Sequence, residues 1–202
     1  MKRAFRLMVL PLALALIVAG CSKPPEMEMA SAEQAVQAAS GAQAAKYAPE
    51  DWQTLQDTLQ AAKAEKAAQD GRFSLFRSYG KSKALFEKAA GLAATTKTKA
   101  EAEMARVREE TRQMLAAVRV EVDTTAAMLA KAPVGKDTKA ELELMKQDMT
   151  AIQSMVNEAQ ASFDRNDFDS AKNKAQTIRD KCATMKSQLE AAMAKKKGGK
   201  KK

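Results

Sequence analysis

Two apolar stripes in the last third of the chain restrict what it can fold into more than any other feature. Leu142, Met145, Met149, Ile152, Val156, Ala159 and Phe163 step by alternating three and four residues. Phe168, Ala171, Ala175, Ile178, Cys182, Met185, Leu189 and Ala192 repeat that alternation. The spacing keeps one helix face apolar over many turns, and its average is the heptad period of coiled coils. Asp164-Arg165-Asn166-Asp167 lies between the stripes as a short polar turn, which favours an antiparallel neighbour. Residues 132–194 are therefore predicted to form an antiparallel coiled-coil hairpin, with Asp137 placed to cap its first helix. Such stripes define architecture and carry no chemistry.

The preceding region, residues 31–131, is also rich in strong helix formers and poor in aromatics. Ser31 with Gln34 three residues on resembles a capping box and predicts a short helix through about Lys46, weakened by Gly41. Tyr47-Ala48-Pro49 breaks the chain, and Pro49 followed by Glu50 and Asp51 suits a first helical turn. Trp52, Leu55, Leu59 and Ala62 give that second helix one apolar face, and Asp70-Gly71 ends it. Phe73, Leu75, Phe76 and Tyr79 form an aromatic patch around the turn that follows.

From about Lys81 to Lys131 the pattern is helical, with Gly91 and Thr95-Thr96 as places where it could bend. If continuous it makes a rod on the order of 75 Å long, at about 1.5 Å per residue. Met104, Val107, Thr111, Met114, Val118, Val122 and Leu129 mark its inner face. A weak internal repeat aligns Tyr79–Ala89 with Phe168–Ile178, each an aromatic followed three residues later by a small residue. This resembles the close helix packing of tetratricopeptide repeats, although two loosely spaced copies do not make a solenoid. The expected fold class is all-α: elongated helical hairpins, or an antiparallel coiled-coil bundle, with a long shared middle helix.

The first 20 residues have the order of a secretory leader. Lys2, Arg3 and Arg6 precede an apolar run from Leu7 to Val18 interrupted by Pro11. That run is shorter than the roughly 20 residues needed to span a bilayer. Val18-Ala19-Gly20-Cys21 resembles a lipobox, so Cys21 is the expected lipid-attachment residue and the new N-terminus. Two or more acyl chains, at about 0.8 kcal/mol per buried methylene, give stable anchoring where one chain does not. Ser22 resembles the outer-membrane sorting pattern, so the expected location is the cell envelope, lipid-anchored at the outer membrane and facing the periplasm. Residues 21–30 read as the lipidated cysteine and an extended tether, roughly 30 Å at about 3.3 Å per residue.

Charge and cysteine usage narrow the function classes. The formal charge is +9, but three basic residues fall in the leader and six in the tail. The body between them has 25 basic and 25 acidic residues, interspersed, without the basic stripe of a nucleic-acid binder. With Cys21 acylated, Cys182 is the remaining cysteine, and its place on a stripe suits a buried thiol; an intermolecular disulfide is the alternative. The chain has no histidine, which removes the commonest general base and metal ligand. Phosphate-cradling glycine loops and nucleophile elbows are missing too, so neither an enzyme nor a cofactor or metal site is expected. Met27-Glu28-Met29 has a spacing used for soft metals but stands alone, and the other methionines suit core filling.

Residues 195–202 form a lysine-rich tail expected to be disordered after Gly198-Gly199. Lys195, Lys196, Lys197, Lys200, Lys201 and Lys202 are candidate contacts for the wall or an anionic surface, at about 1 kcal/mol each beside anionic lipid. In layout, a lipid anchor, a helical body and a C-terminal lysine resemble the murein lipoproteins. That likeness implies a wall attachment through Lys202 as an alternative role.

Gly41-Ala42 through Lys46-Tyr47-Ala48-Pro49-Glu50, a helix, a polar turn and the aromatic-x-x-small helix from Tyr79 also resemble an uncharacterised family of Gram-negative lipoproteins. Members have a lipobox, a Tyr-Ala-Pro break and an Ala-rich helical hairpin. The likeness covers residues 31–100 and departs from the family at Asp70-Gly71-Arg72-Phe73. It implies location and fold, and no activity. The expected function is a non-enzymatic scaffold or adaptor that binds an envelope protein, the oligomeric state being open. The alternative is an outer membrane to peptidoglycan tether using the lysine tail.

Overall fold

A computed structural model of the chain describes residues 23–135 and 138–198. It is all-helical, and no strand occurs among the described residues. The elements are α1 (Glu26–Gly41), α2 (Ala44–Tyr47), α3 (Pro49–Asp70), a short 3-10 turn (Ser74–Phe76), α4 (Gly80–Ala130), α5 (Lys139–Asp164) and α6 (Phe168–Gly198). They fall into two compact units divided inside α4, between Met104 and Ala105.

The first unit packs α1, α3 and the first half of α4. Its core is alanine-rich: Ala32, Ala39, Ala62, Ala89, Ala93 and Ala100 are fully buried, with Leu55 and Phe86 as the largest enclosed side chains. Ion pairs tie the three helices at their edges, Lys63–Glu33 between α3 and α1 at 2.6 Å and Lys99–Asp51 between α4 and α3 at 2.7 Å. Pro49 opens α3 where its missing N–H costs nothing, and Glu50 and Asp51 face the positive helix end. Gln43 takes a left-handed conformation (φ 56°) between α1 and α2.

Two expectations fail in this unit. The chain from residue 26 is helix, so the described tether is confined to Lys23–Pro25, and Ser31 lies inside α1 instead of capping it. Pro25 ends the extended segment, and Glu26 and Glu28 complement the helix N-terminus. α1 buries little beyond alanine, so its inner face has no hydropathic contrast to read in the sequence.

The second unit packs the rest of α4 against the α5–α6 hairpin. Val118, Val122 and Leu129 share one core with Leu142, Met149, Ile152, Ile178, Cys182 and Leu189. This moves the boundary from the expected position at residue 132 back to Met104, because the second half of α4 has an apolar face that only the hairpin covers. The stripes are as read: every named stripe residue of α6 is buried, and in α5 only Val156 and Phe163 remain partly exposed. Asn166 closes the turn in a left-handed conformation (φ 59°), and Asp167 Oδ1 accepts from Ser170 N at 3.2 Å to cap α6. Asp137 lies outside the described residues.

α4 runs unbroken through Gly91 and Thr95-Thr96. At Thr95 the hydroxyl donates back to Leu92 O at 2.9 Å, an arrangement compatible with continuous helix. α6 continues to Gly198, so Lys195, Lys196 and Lys197 belong to a helix where a disordered tail was expected. Lysine is a good helix former and its charge suits a helix C-terminus, which favours extension.

Candidate functional site

The residues predicted to meet a membrane or wall are mostly beyond the description. Cys21 and Lys200, Lys201 and Lys202 lie outside the described residues, and only the helical backbone is described for Lys195, Lys196 and Lys197. No helix among the described residues is long and apolar enough to cross a membrane. Met27 and Met29 sit two positions apart on α1, about 200° around the helix, which does not converge both sulfurs on one metal ion. Among the described residues no group of three or more His, Cys, Asp or Glu side chains is placed to hold a metal.

Cys182 occupies the predicted stripe, with its side chain fully buried. Burial pushes its thiol pKa up; the Thr125 hydrogen bond opposes it, the nearby Glu121 carboxylate adds to it and the Lys186 ammonium opposes it more weakly, for a net rise. A protonated, enclosed thiol is a poor nucleophile and a poor disulfide partner. Buried thiol is the state seen.

A concave surface runs along the α5–α6 hairpin. Two adjacent depressions of about 370 and 380 Å³ share Asp148 and Gln188 in their walls, so they form one open groove. Its floor is the heptad stripe itself, Met145, Ile152, Met185 and Ala192. The α5 wall carries Glu141, Leu144, Asp148 and Ala151; the α6 wall carries Thr177, Asp180, Lys181 and Gln188. Three carboxylates, Glu141, Asp148 and Asp180, thus line the groove with one lysine, Lys181. Leu144 is 62% exposed, although it sits between two buried stripe residues.

The floor residues are only 1–7% exposed, so the open apolar surface of the groove comes from its α5 wall, Leu144 and Ala151. The groove is open and shallow, without the convergent, buried polar groups of a small-molecule site. It suits the side chains of a docking helix, read as anchors at three- and four-residue spacing. Sequence reasoning found its floor and missed its walls. Leu144 was the available signal: an apolar residue out of step with the stripe between Leu142 and Met145. No family model, curated protein or solved structure matches this chain.

Proposed function

We propose that this chain is a non-enzymatic helical scaffold or adaptor, lipid-anchored through Cys21 at the periplasmic face of a Gram-negative outer membrane. The observation that carries the docking role is the acidic-rimmed groove between α5 and α6, with Leu144 exposed beside it. The partner it suits is an amphipathic helix of an envelope protein, with small apolar anchors flanked by Lys or Arg. Such anchors pack against Leu144 and Ala151, while the basic flanks meet Glu141, Asp148 and Asp180 and set register more than raw affinity. The leader with its lipobox supports the anchor, and the absence of histidine from the whole chain supports a non-catalytic role.

The test is site-specific photocross-linking in the native cell envelope. A photoreactive residue at Leu144 is expected to give a discrete protein adduct that disappears when Asp148→Lys is added. The same probe at Val120, exposed on α4, is expected to give none. Identical products from both positions, or insensitivity to Asp148→Lys, would contradict the groove as the docking surface.

A further inference from the structure

Phe73, Leu75 and Phe76 are 68%, 63% and 73% exposed within four residues of one another, on the turn joining α3 to α4. No other described stretch of the chain shows so dense a set of exposed large apolar side chains. Polar contacts close the base of this loop. Arg77 donates from Nε to Arg72 O and from Nη2 to Asp70 O, both at 2.9 Å. Ser78 N donates to Gln69 Oε1 at 3.1 Å, and the buried Tyr79 hydroxyl donates to Asp70 Oδ1 at 2.5 Å. Tyr79 is the member of the aromatic patch that enters the core, and its three neighbours form an exposed apolar tip.

The position of this tip matters as much as its composition. Lys66 bridges Asp70, at the base of the tip, and Glu26, the first residue of α1, at 3.0 and 3.1 Å. Lys83 pairs with Glu28 at 2.8 Å. The start of α1 and the tip therefore share one end of the first unit. Cys21 lies five residues before Glu26, within roughly 17 Å of it even when fully extended. Residues 71–86 include Arg72, Arg77, Lys81 and Lys83 and no acidic residue. Lys81 and Lys83 are paired with Glu65 and Glu28, and Arg72, exposed on the same turn, supplies positive charge beside the tip.

We infer that Phe73, Leu75 and Phe76 insert into the headgroup and upper acyl region of an anionic phospholipid leaflet, forming a second membrane contact beside the acylated N-terminus. The inference rests on the lipid-anchor reading for its placement, while the tip itself is independent of it. Aromatic and leucine side chains with flanking cations are the composition of interfacial membrane contacts. Two contacts at one end hold the first unit upright on the bilayer, where a lipid chain alone leaves it free to tilt.

The acylated mature chain carrying Leu75→Cys, labelled with an environment-sensitive fluorophore, tests this on phosphatidylethanolamine–phosphatidylglycerol vesicles. Buried Cys182 stays unlabelled under native conditions. Expected are a blue shift and quenching by brominated acyl chains, whereas Ala45→Cys, at the opposite end of the unit, stays accessible to aqueous iodide. An unacylated Cys21→Ser chain is expected to bind these vesicles weakly, with Phe73→Ser and Phe76→Ser together reducing binding about tenfold or more at unchanged melting temperature. An aqueous label at position 75 on the acylated chain would overturn tip insertion and leave the anchor standing. A blue shift without bromine quenching would overturn it in favour of a protein contact. Insertion at position 75 in cells that leave Cys21 unmodified would support the tip and overturn only the anchor reading.

Discussion

Thr96 buries its hydroxyl in the first unit without a hydrogen-bond partner among the described residues. A desolvated, unpaired hydroxyl is a net cost, and valine has nearly the same shape without it. Thr96→Val is expected to stabilise the protein by about 1 kcal/mol, read as a higher urea midpoint at unchanged slope. The Asp70–Tyr79 bond has the opposite character. The Tyr79 hydroxyl, and next the Lys66 ammonium, hold the Asp70 carboxyl below its usual pKa, and Asp70 holds the Tyr79 phenol above its own. Asp70 therefore contributes stability above its ordinary value of 3.8, lost as pH falls through its lowered one. Tyr79 contributes below its ordinary value of 10.0, lost as pH rises through its raised one. Thermal melts of Tyr79→Phe are expected to fall below wild type most clearly between those limits, with the gap closing at either extreme. A gap independent of pH would assign the loss to packing alone. Tyr79 was legible as a core residue from its repeat with Phe168; its pairing with Asp70 was not, because the intervening turn fixes it.

Among the elements, α4 carries the clearest test of helix propensity. Gly91 lies on its exposed face, and an added Cβ meets nothing within 4 Å. Gly91→Ala is expected to stabilise by about 0.5–1 kcal/mol through helix propensity, measured as a raised thermal midpoint. A lowered midpoint would show that α4 bends there. Strong periodicity made α3, α5 and the start of α6 readable to within a residue or two, with Tyr47-Ala48-Pro49 and the Asp164–Asp167 turn as punctuation. α1 was misplaced for the converse reason. Its inner contacts are Ala32 and Ala39, and alanine signals burial and exposure alike. The α6 terminus was misread because a lysine run gives no apolar pattern even while its propensity extends a helix.

At the scale of the whole molecule, the two units use one device twice. Tyr79, Ser82, Phe86, Ala89, Ala93, Thr96 and Ala100 are buried at the same successive intervals as Phe168, Ala171, Ala175, Ile178, Cys182, Met185 and Leu189. The repeat glimpsed at Tyr79 and Phe168 thus extends for six turns, hidden in the sequence because alanine stands in the first unit where larger residues stand in the second. The groove floor was legible on the same grounds, while its walls depend on where the neighbouring helix stops covering them. A scaffold working through that groove should be indifferent to its tail. Removing residues 195–202 is expected to leave Leu144 cross-linking and melting unchanged, with no protein retained on boiled peptidoglycan sacculi before or after truncation. Sacculus-bound protein released by lysozyme, and lost on truncation, would favour the wall tether instead.

The proposed location, and with it the placement of the tip on a membrane, depends on how the N-terminus is processed. The mass of that terminus, determined on protein extracted from native membranes, is therefore the most direct measurement. A terminal peptide beginning at Cys21 and carrying a diacylglyceryl group, with or without a third acyl chain, is the expected result. A terminus retaining the leader, or an unmodified Cys21, would contradict the lipid-anchored scaffold.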